Sequence, residues 1–146
     1  MGNQKEVGQI NWKVHFSTSI DQVYNALTTD EGRSTFWAEE AKEINGIIEF
    51  KILNYPVYKS KIIEKKYPNL FQLEYFGTDV TFTLKETPDK GTDLYMNAIT
   101  FDKNTQKEMT SGWVSVLLAM KAAVDFGVDL RNHNPERVWE KGFVDN

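Results

Sequence analysis

The sequence predicts an α+β fold, with helices gathered on one face of an antiparallel sheet, and three observations carry that expectation. Segments with apolar residues at every second position follow one another from about residue 46 to residue 101. The turns between them are only a few residues long, which suits neighbouring antiparallel strands and leaves no room for crossover helices. A long apolar helix then closes the pattern, "MTSGWVSVLLAMKAAVDFGVDLRN" at residues 109–132.

Taken in order, "QINWKVHFS" turns Ile10, Trp12, Val14 and Phe16 one way and Asn11, Lys13 and His15 the other, as a half-buried strand does. In "SIDQVYNALTTDEG", Ser19 and Gln22 have capping-box spacing, and Val23, Ala26 and Leu27 share a helical face. "DEGRSTFW" forms a second short helical turn that ends in two adjacent aromatics, Phe36 and Trp37. The strands follow. One face of each carries Ile48, Phe50 and Ile52, then Tyr58, Ser60 and Ile62, then Phe71, Leu73 and Tyr75. Val80, Phe82 and Leu84, and finally Leu94, Met96 and Ala98, continue the pattern. Asn45-Gly46, Asn54 to Pro56, Pro68-Asn69, Gly77 and Pro88 to Gly91 supply the turns. The sheet therefore has about six or seven strands, with two short helices after the first.

At about 100° per residue, the long helix places Trp113, Val116, Leu117, Met120, Ala123, Val124 and Val128 toward the sheet. Its far side, with Ser115, Leu118, Ala119, Ala122 and Phe126, is unusually apolar for a solvent face, so something covers it. The tail "NHNPERVWEKGF" has Asn134 and Pro135 to start a turn, Gly142 to stop it, and Val138, Trp139 and Phe143 as apolar cover. We expect residues 8–130 to form the core of a single domain spanning 1–146, with 131–146 packed on the long helix; a dimer contact is the alternative cover for that face.

A net charge of −4 at pI 5.2 argues against nucleic acid, whose phosphates need a basic surface. The lysines of "YKSKIIEKKY" alternate with apolar residues, as on the wet side of a strand. With no cysteine, thiolate chemistry and disulfides are excluded. "MGNQKEVGQI" has no secretion signal, Glu6 stands where myristoylation wants Ser or Thr, and no segment has membrane length. The expected location is the cytoplasm.

No catalytic constellation emerges. His15 and His133 lie far apart, which does not suit a metal site of three or four donors. No Gly-x-Ser-x-Gly turn or phosphate loop is present. Glu39, Glu40 and Glu43 read as solvated. Glu64 falls at the exposed end of its strand. Alternation also puts it on the face of Tyr58, Ser60 and Ile62, where an inward setting would desolvate it and raise its pKa.

The order and spacing of several segments resemble a known family. "STSIDQVYNALTTDEGRSTFW", "NGIIEFKI", "GTDLYMNA" and "SGWVSVLLAMK" are similar to the motifs of the activator-of-heat-shock-protein-90-ATPase-like family. That family lies within the START/SRPBCC superfamily, which includes the birch-pollen allergen. Ile47, Phe36 and Ala98 depart from its pattern, and Ala98 thins the polar content of the interior. The resemblance implies a helix-grip fold, a curved antiparallel sheet wrapped around the C-terminal helix with a partial cavity between them. It also implies a small hydrophobic or amphipathic ligand there. The expected lining is Phe36, Trp37, Ile48, Phe50, Ile52, Tyr58, Phe71 and Leu73, with Tyr75, Val80, Phe82, Met96, Trp113, Leu117 and Met120. Tyr58 and Tyr75 serve as polar anchors. No cofactor, metal or catalytic residue is assigned, and the chain is expected to be a monomer or weak dimer. A polyketide-cyclase- or hydrolase-like enzyme and a chaperone cofactor are the alternatives that the resemblance offers.

Overall fold

The computed structural model describes residues 8–100 and 103–146, so the readings on Met1, Gly2 and Glu6 lie outside the described residues. The elements run β1 (Gly8–Phe16), α1 (Ile20–Thr28), α2 (Asp30–Ser34), β2 (Glu40–Ile44), β3 (Ile47–Lys51) and β4 (Tyr58–Lys66). They continue through β5 (Leu70–Tyr75), β6 (Thr78–Glu86), β7 (Thr92–Thr100) and α3 (Lys103–Phe126), and end in one 3-10 turn at Trp139–Lys141. All seven strands join in one curved antiparallel sheet of order β1-β7-β6-β5-β4-β3-β2.

Register explains the core. Met96 stands opposite both Trp12 and Phe82, Phe82 opposite Phe71, and Leu73 opposite both Val80 and Ile62. Each such row lies on the inner face because side chains in a strand repeat every two residues. Phe16, Ile48, Phe50, Phe71, Leu73, Val80, Leu94 and Ala98 have no solvent exposure at all. The expected inward setting of Trp12 is only partly met. It sits at the rim, 36% exposed, with its Nε1 donating to Thr110 O of α3 at 3.2 Å.

The register slips between Ile62 and Glu64. Ile62 pairs with Leu73 on the inner face, whereas Glu64 pairs with Gln72. The bulge thus turns Glu64 outward, where it meets Lys66 at 3.2 Å, and the inward possibility for Glu64 is excluded. The capping box at Ser19 does not form either, since Ser19 makes no side-chain capping bond. The turn before α1 is held from α3 instead: Asp125 accepts from Ser17 N, Thr18 N and the Thr18 hydroxyl. Thr29 is the capping residue, accepting from Gly32 N at the start of α2.

Both edges of the sheet meet a helix. Along β1, Gln106 Nε2 donates to Gln9 O at 2.9 Å and Lys121 Nζ donates to His15 O. Along β2, Arg33 Nε donates to Ala41 O at 3.0 Å while Asp30 accepts from Glu43 N at 2.9 Å. Arg33 is wholly buried, and its guanidinium also donates to Leu27 O and Asp30.

Candidate functional site

Trp37 decides where free space is left. It follows α2 directly, and Trp37 N donates to Arg33 O, which turns the chain into the interior. Its ring lies 5.0 Å from Phe50, 5.6 Å from Tyr75, 5.8 Å from Phe82 and 5.9 Å from Trp113, centroid to centroid. These tilted and edge-on contacts are the favoured aromatic geometries. The indole therefore occupies the concavity that the curved sheet would otherwise leave beneath α3. Ten expected lining residues stand in the packed interior around and behind it: Ile48, Phe50, Tyr58, Phe71, Leu73, Val80, Phe82, Met96, Leu117 and Met120.

What remains beside Trp37 and α3 is a cleft of about 370 Å³, open to solvent. Its floor is Phe36, Trp37, Tyr75 and Trp113; Ile52, Tyr55 and Phe76 form one wall, and Met109, Gly112, Val116 and Ala119 of α3 form another. Thus Phe36, Trp37, Ile52, Tyr75 and Trp113 are the expected residues that line it. Ser115 and Ala119, expected on the far side of α3, turn toward the cleft, and Ala119 is buried. Leu118 and Phe126 remain open, 53% and 70% exposed.

The third wall is the segment after α3, which we call the strap, residues 127–146. Arg131, Trp139, Glu140 and Asn146 all reach the cleft. Arg131 donates to Ala38 O at 2.8 Å and Ser34 O at 2.7 Å and grips Asp129 through two further contacts. Further along, Asn54 Nδ2 donates to Pro135 O, Val138 is buried, and the Ser115 hydroxyl donates to Val144 O. The tail turn is a single 3-10 turn, stopped at Gly142, whose φ of 88° is left-handed. Sequence reasoning did not assign Tyr55, Phe76, Glu108, Arg131 or Trp139 to the site. They come from turns, the helix flank and the tail, where no period marks an inward face.

Electrostatically the cleft is quiet. Burial pushes the Tyr75 phenol well above the tyrosine range, and the nearby Trp37 indole offsets only part of that. Tyr58 is pushed up to about 12 by burial and by its hydrogen bond to Glu74. Both phenols are therefore neutral hydrogen-bonding groups at physiological pH, not bases. Arg131 spends its charge on Asp129. Buried Trp37 Nε1 and Trp113 Nε1 make no hydrogen bond of good geometry. Nothing here forms a nucleophile–base pair. Among the described residues no cluster of His, Asp or Glu is arranged to hold a metal, and no helix is long and apolar enough to cross a membrane.

Solved structures share this architecture. Protein SSP2350 from Staphylococcus saprophyticus superposes with a TM-score of 0.73 at 21% identity, covering 85% of this chain and 96% of that one. The Aha1 dimer from Colwellia psychrerythraea gives 0.73 at 20% identity, covering 82% and 98%. The chain has the helix-grip fold. CalU16 from Micromonospora echinospora, at 0.64 and 17% identity over 80% of this chain and 81% of that one, is a further helix-grip neighbour. No protein-family model and no curated protein matches the sequence. At these identities the likeness extends to the fold.

Proposed function

We propose that the protein binds a small apolar or amphipathic molecule in the cleft between α3, the Trp37 floor and the strap. The observation that carries this reading is an open cleft of about 370 Å³ floored by four aromatic rings. Ligand sites run from roughly 300 to 1,000 Å³ and are mostly apolar with a few polar groups. Tyr75 supplies a neutral polar group at the floor and Ser115 one at the wall. Binding without chemistry is favoured over a cyclase or hydrolase role because the cleft offers no paired acid and base. The family resemblance is part of the proposal, as are a cytoplasmic location and a monomer or weak dimer. The Colwellia neighbour, itself solved as a dimer, supports both the family and the dimer.

Gly112 provides the test. It lines the cleft, and a Cβ added there would meet nothing within 4 Å, so a side chain can leave the helix toward the open space. Gly112→Phe should fill the cleft and leave the fold intact, with helix propensity improved by about 0.5 kcal/mol. Native mass spectrometry of wild type should show an apolar adduct on the 16.9 kDa chain, or probe binding by tryptophan quenching, and Gly112→Phe should lose it. A wild type that carries no adduct and binds no apolar probe would sink the proposal.

A further inference from the structure

The strap is fastened beside the cleft by a histidine held between two acids. His133 Nδ1 lies 2.7 Å from Glu39 Oε1, and His133 Nε2 lies 2.7 Å from Asp129 Oδ2. A neutral imidazole has one N–H, so it donates to one carboxylate and turns a bare lone pair on the other. An ionised carboxylate only accepts, so it cannot donate in return. Both contacts are hydrogen bonds only when the ring carries two protons. The charged groups around the ring are Glu39 from the segment before β2, and Asp129 with its partner Arg131 from the strap itself. His133 also has a φ of 55°, a left-handed conformation that few non-glycine residues adopt. Across it, Asn134 N donates to Asn132 Oδ1 at 2.7 Å, closing a turn that presents the ring to both acids.

From these contacts we infer that His133 is a proton-operated latch on the cleft. The strap is docked while the imidazolium bridges Glu39 and Asp129, and it loosens at the cleft mouth when the ring loses a proton. The inference rests on the proposed ligand site, whose occupancy the latch governs. Losing the proton sets a lone pair against a carboxylate at 2.7 Å, so the ring must turn or the segment must lift. Arg131 keeps its bonds to Ser34 O and Ala38 O in either state and acts as the root of the strap. Beyond His133, the strap meets the body through the Asn54 bond to Pro135, buried Val138 and the Ser115 bond to Val144. Asn132, beside the root, donates to Arg137 O and to Asp145 and so keeps the strap folded on itself. Trp139, Glu140 and Asn146 are carried by that stretch and are the cleft residues that move. The bonds to Asp129 and then Glu39 raise the ring's pKa, so the latch opens on the alkaline side of the ordinary histidine range.

The test is an NMR titration from roughly pH 5.5 to 9, a range that brackets histidine ionisation. The His133 ring, the Trp139 indole N–H and the Val144 amide are followed together. In parallel, the dissociation rate of bound 1-anilinonaphthalene-8-sulfonate is measured by stopped flow. The Trp139 and Val144 signals should move with the His133 midpoint, and the probe should leave about 5-fold faster above it, as expected for one lost hydrogen bond. His133→Asn accepts the left-handed backbone but cannot titrate, so it should make both readouts flat. Glu39→Gln, outside the cleft lining, should move the midpoint to lower pH. Trp139 and Val144 signals that stay still while His133 titrates overturn the latch, and so does a pH response that survives in His133→Asn. If the probe binds at no pH, the ligand proposal fails, while the two signals still decide the latch.

Discussion

Phe76 occupies a backbone conformation that its own side chain resists. Its φ is 49° and that of Gly77 is 76°, so the two form the tight turn between β5 and β6. Asn45 and Gly46 make the equivalent turn between β2 and β3 with residue types suited to it. A bulky residue in the left-handed region costs about 1–3 kcal/mol, and here it places a ring on Tyr58, 3.9 Å away, at the cleft wall. Phe76→Asn should leave thermal stability within about 1 kcal/mol, since relieved strain offsets a lost ring contact of about 0.5–1.5 kcal/mol. Probe affinity should fall several-fold, and unchanged affinity would remove Phe76 from the site. The strap's stability should also be bounded in pH. Burial acts to raise the Asp129 pKa, but hydrogen bonds from Arg131 and His133 win and hold it well below the usual carboxylate range. Its contribution is present above about pH 4 and lost as pH falls through the depressed value. His133 is raised, so its contribution is complete below about pH 6.5 and lost as pH rises through the folded value. Amide exchange of the strap, corrected for intrinsic rates, should be slowest between those limits. None of this was legible in advance, because a φ and a pKa belong to neighbours that only the fold brings together.

At the scale of elements, α3 has three occupied sides. Trp113, Leu117 and Met120 face the core, Met109, Gly112 and Val116 face the cleft, and Gln106, Lys121 and Asp125 serve β1. Helical periodicity identified the first of these but did not mark the cleft side, where Met109 and Val116 are as apolar as the core face, nor foresee which strand the polar residues would serve. The open row of Leu118 and Phe126 shows that covering was required for less of the helix than its composition suggested. Strand β2 escaped notice for a related reason. Its Glu40, Lys42 and Glu43 break the apolar alternation, as charges on edge strands do, although Asn45-Gly46 already marked a hairpin that needs two strands. Arg33 joins β2 to α2 from a fully buried position. Burial lowers its pKa while Asp30 and Glu43 support the charge. Arg33→Ala would strand Ala41 O and Leu27 O, each an orphaned acceptor worth about 1–3 kcal/mol. A loss of about 3 kcal/mol in denaturant unfolding is expected, together with faster exchange at the Glu43 amide. A loss under about 1 kcal/mol would mean that water replaces the guanidinium.

At the scale of the whole molecule, the inner face and the antiparallel pairing of short-linked neighbours were legible from a two-residue period. The place of β1 beside β7 was not, because no short turn joins them. Nor was the cleft's position. Inward-facing residues mark an interior, but whether it is filled depends on a ring from outside the periodic strands, and here that ring is Trp37. Trp37→Ala should cost about 3–5 kcal/mol and join the cleft to the space beneath α3, so that bulkier apolar probes bind than in wild type. If the variant keeps its stability and its probe size limit, the interior has collapsed around the missing indole. A separate consequence follows from the helices that flank β1 and β2. The outermost strands have backbone groups engaged within their own chain, by Gln106 and Lys121 on one side and Asp30 and Arg33 on the other. A visiting peptide finds the short β2 edge already taken at Ala41 O and Glu43 N, and the β1 edge taken at Gln9 O and His15 O near its two ends.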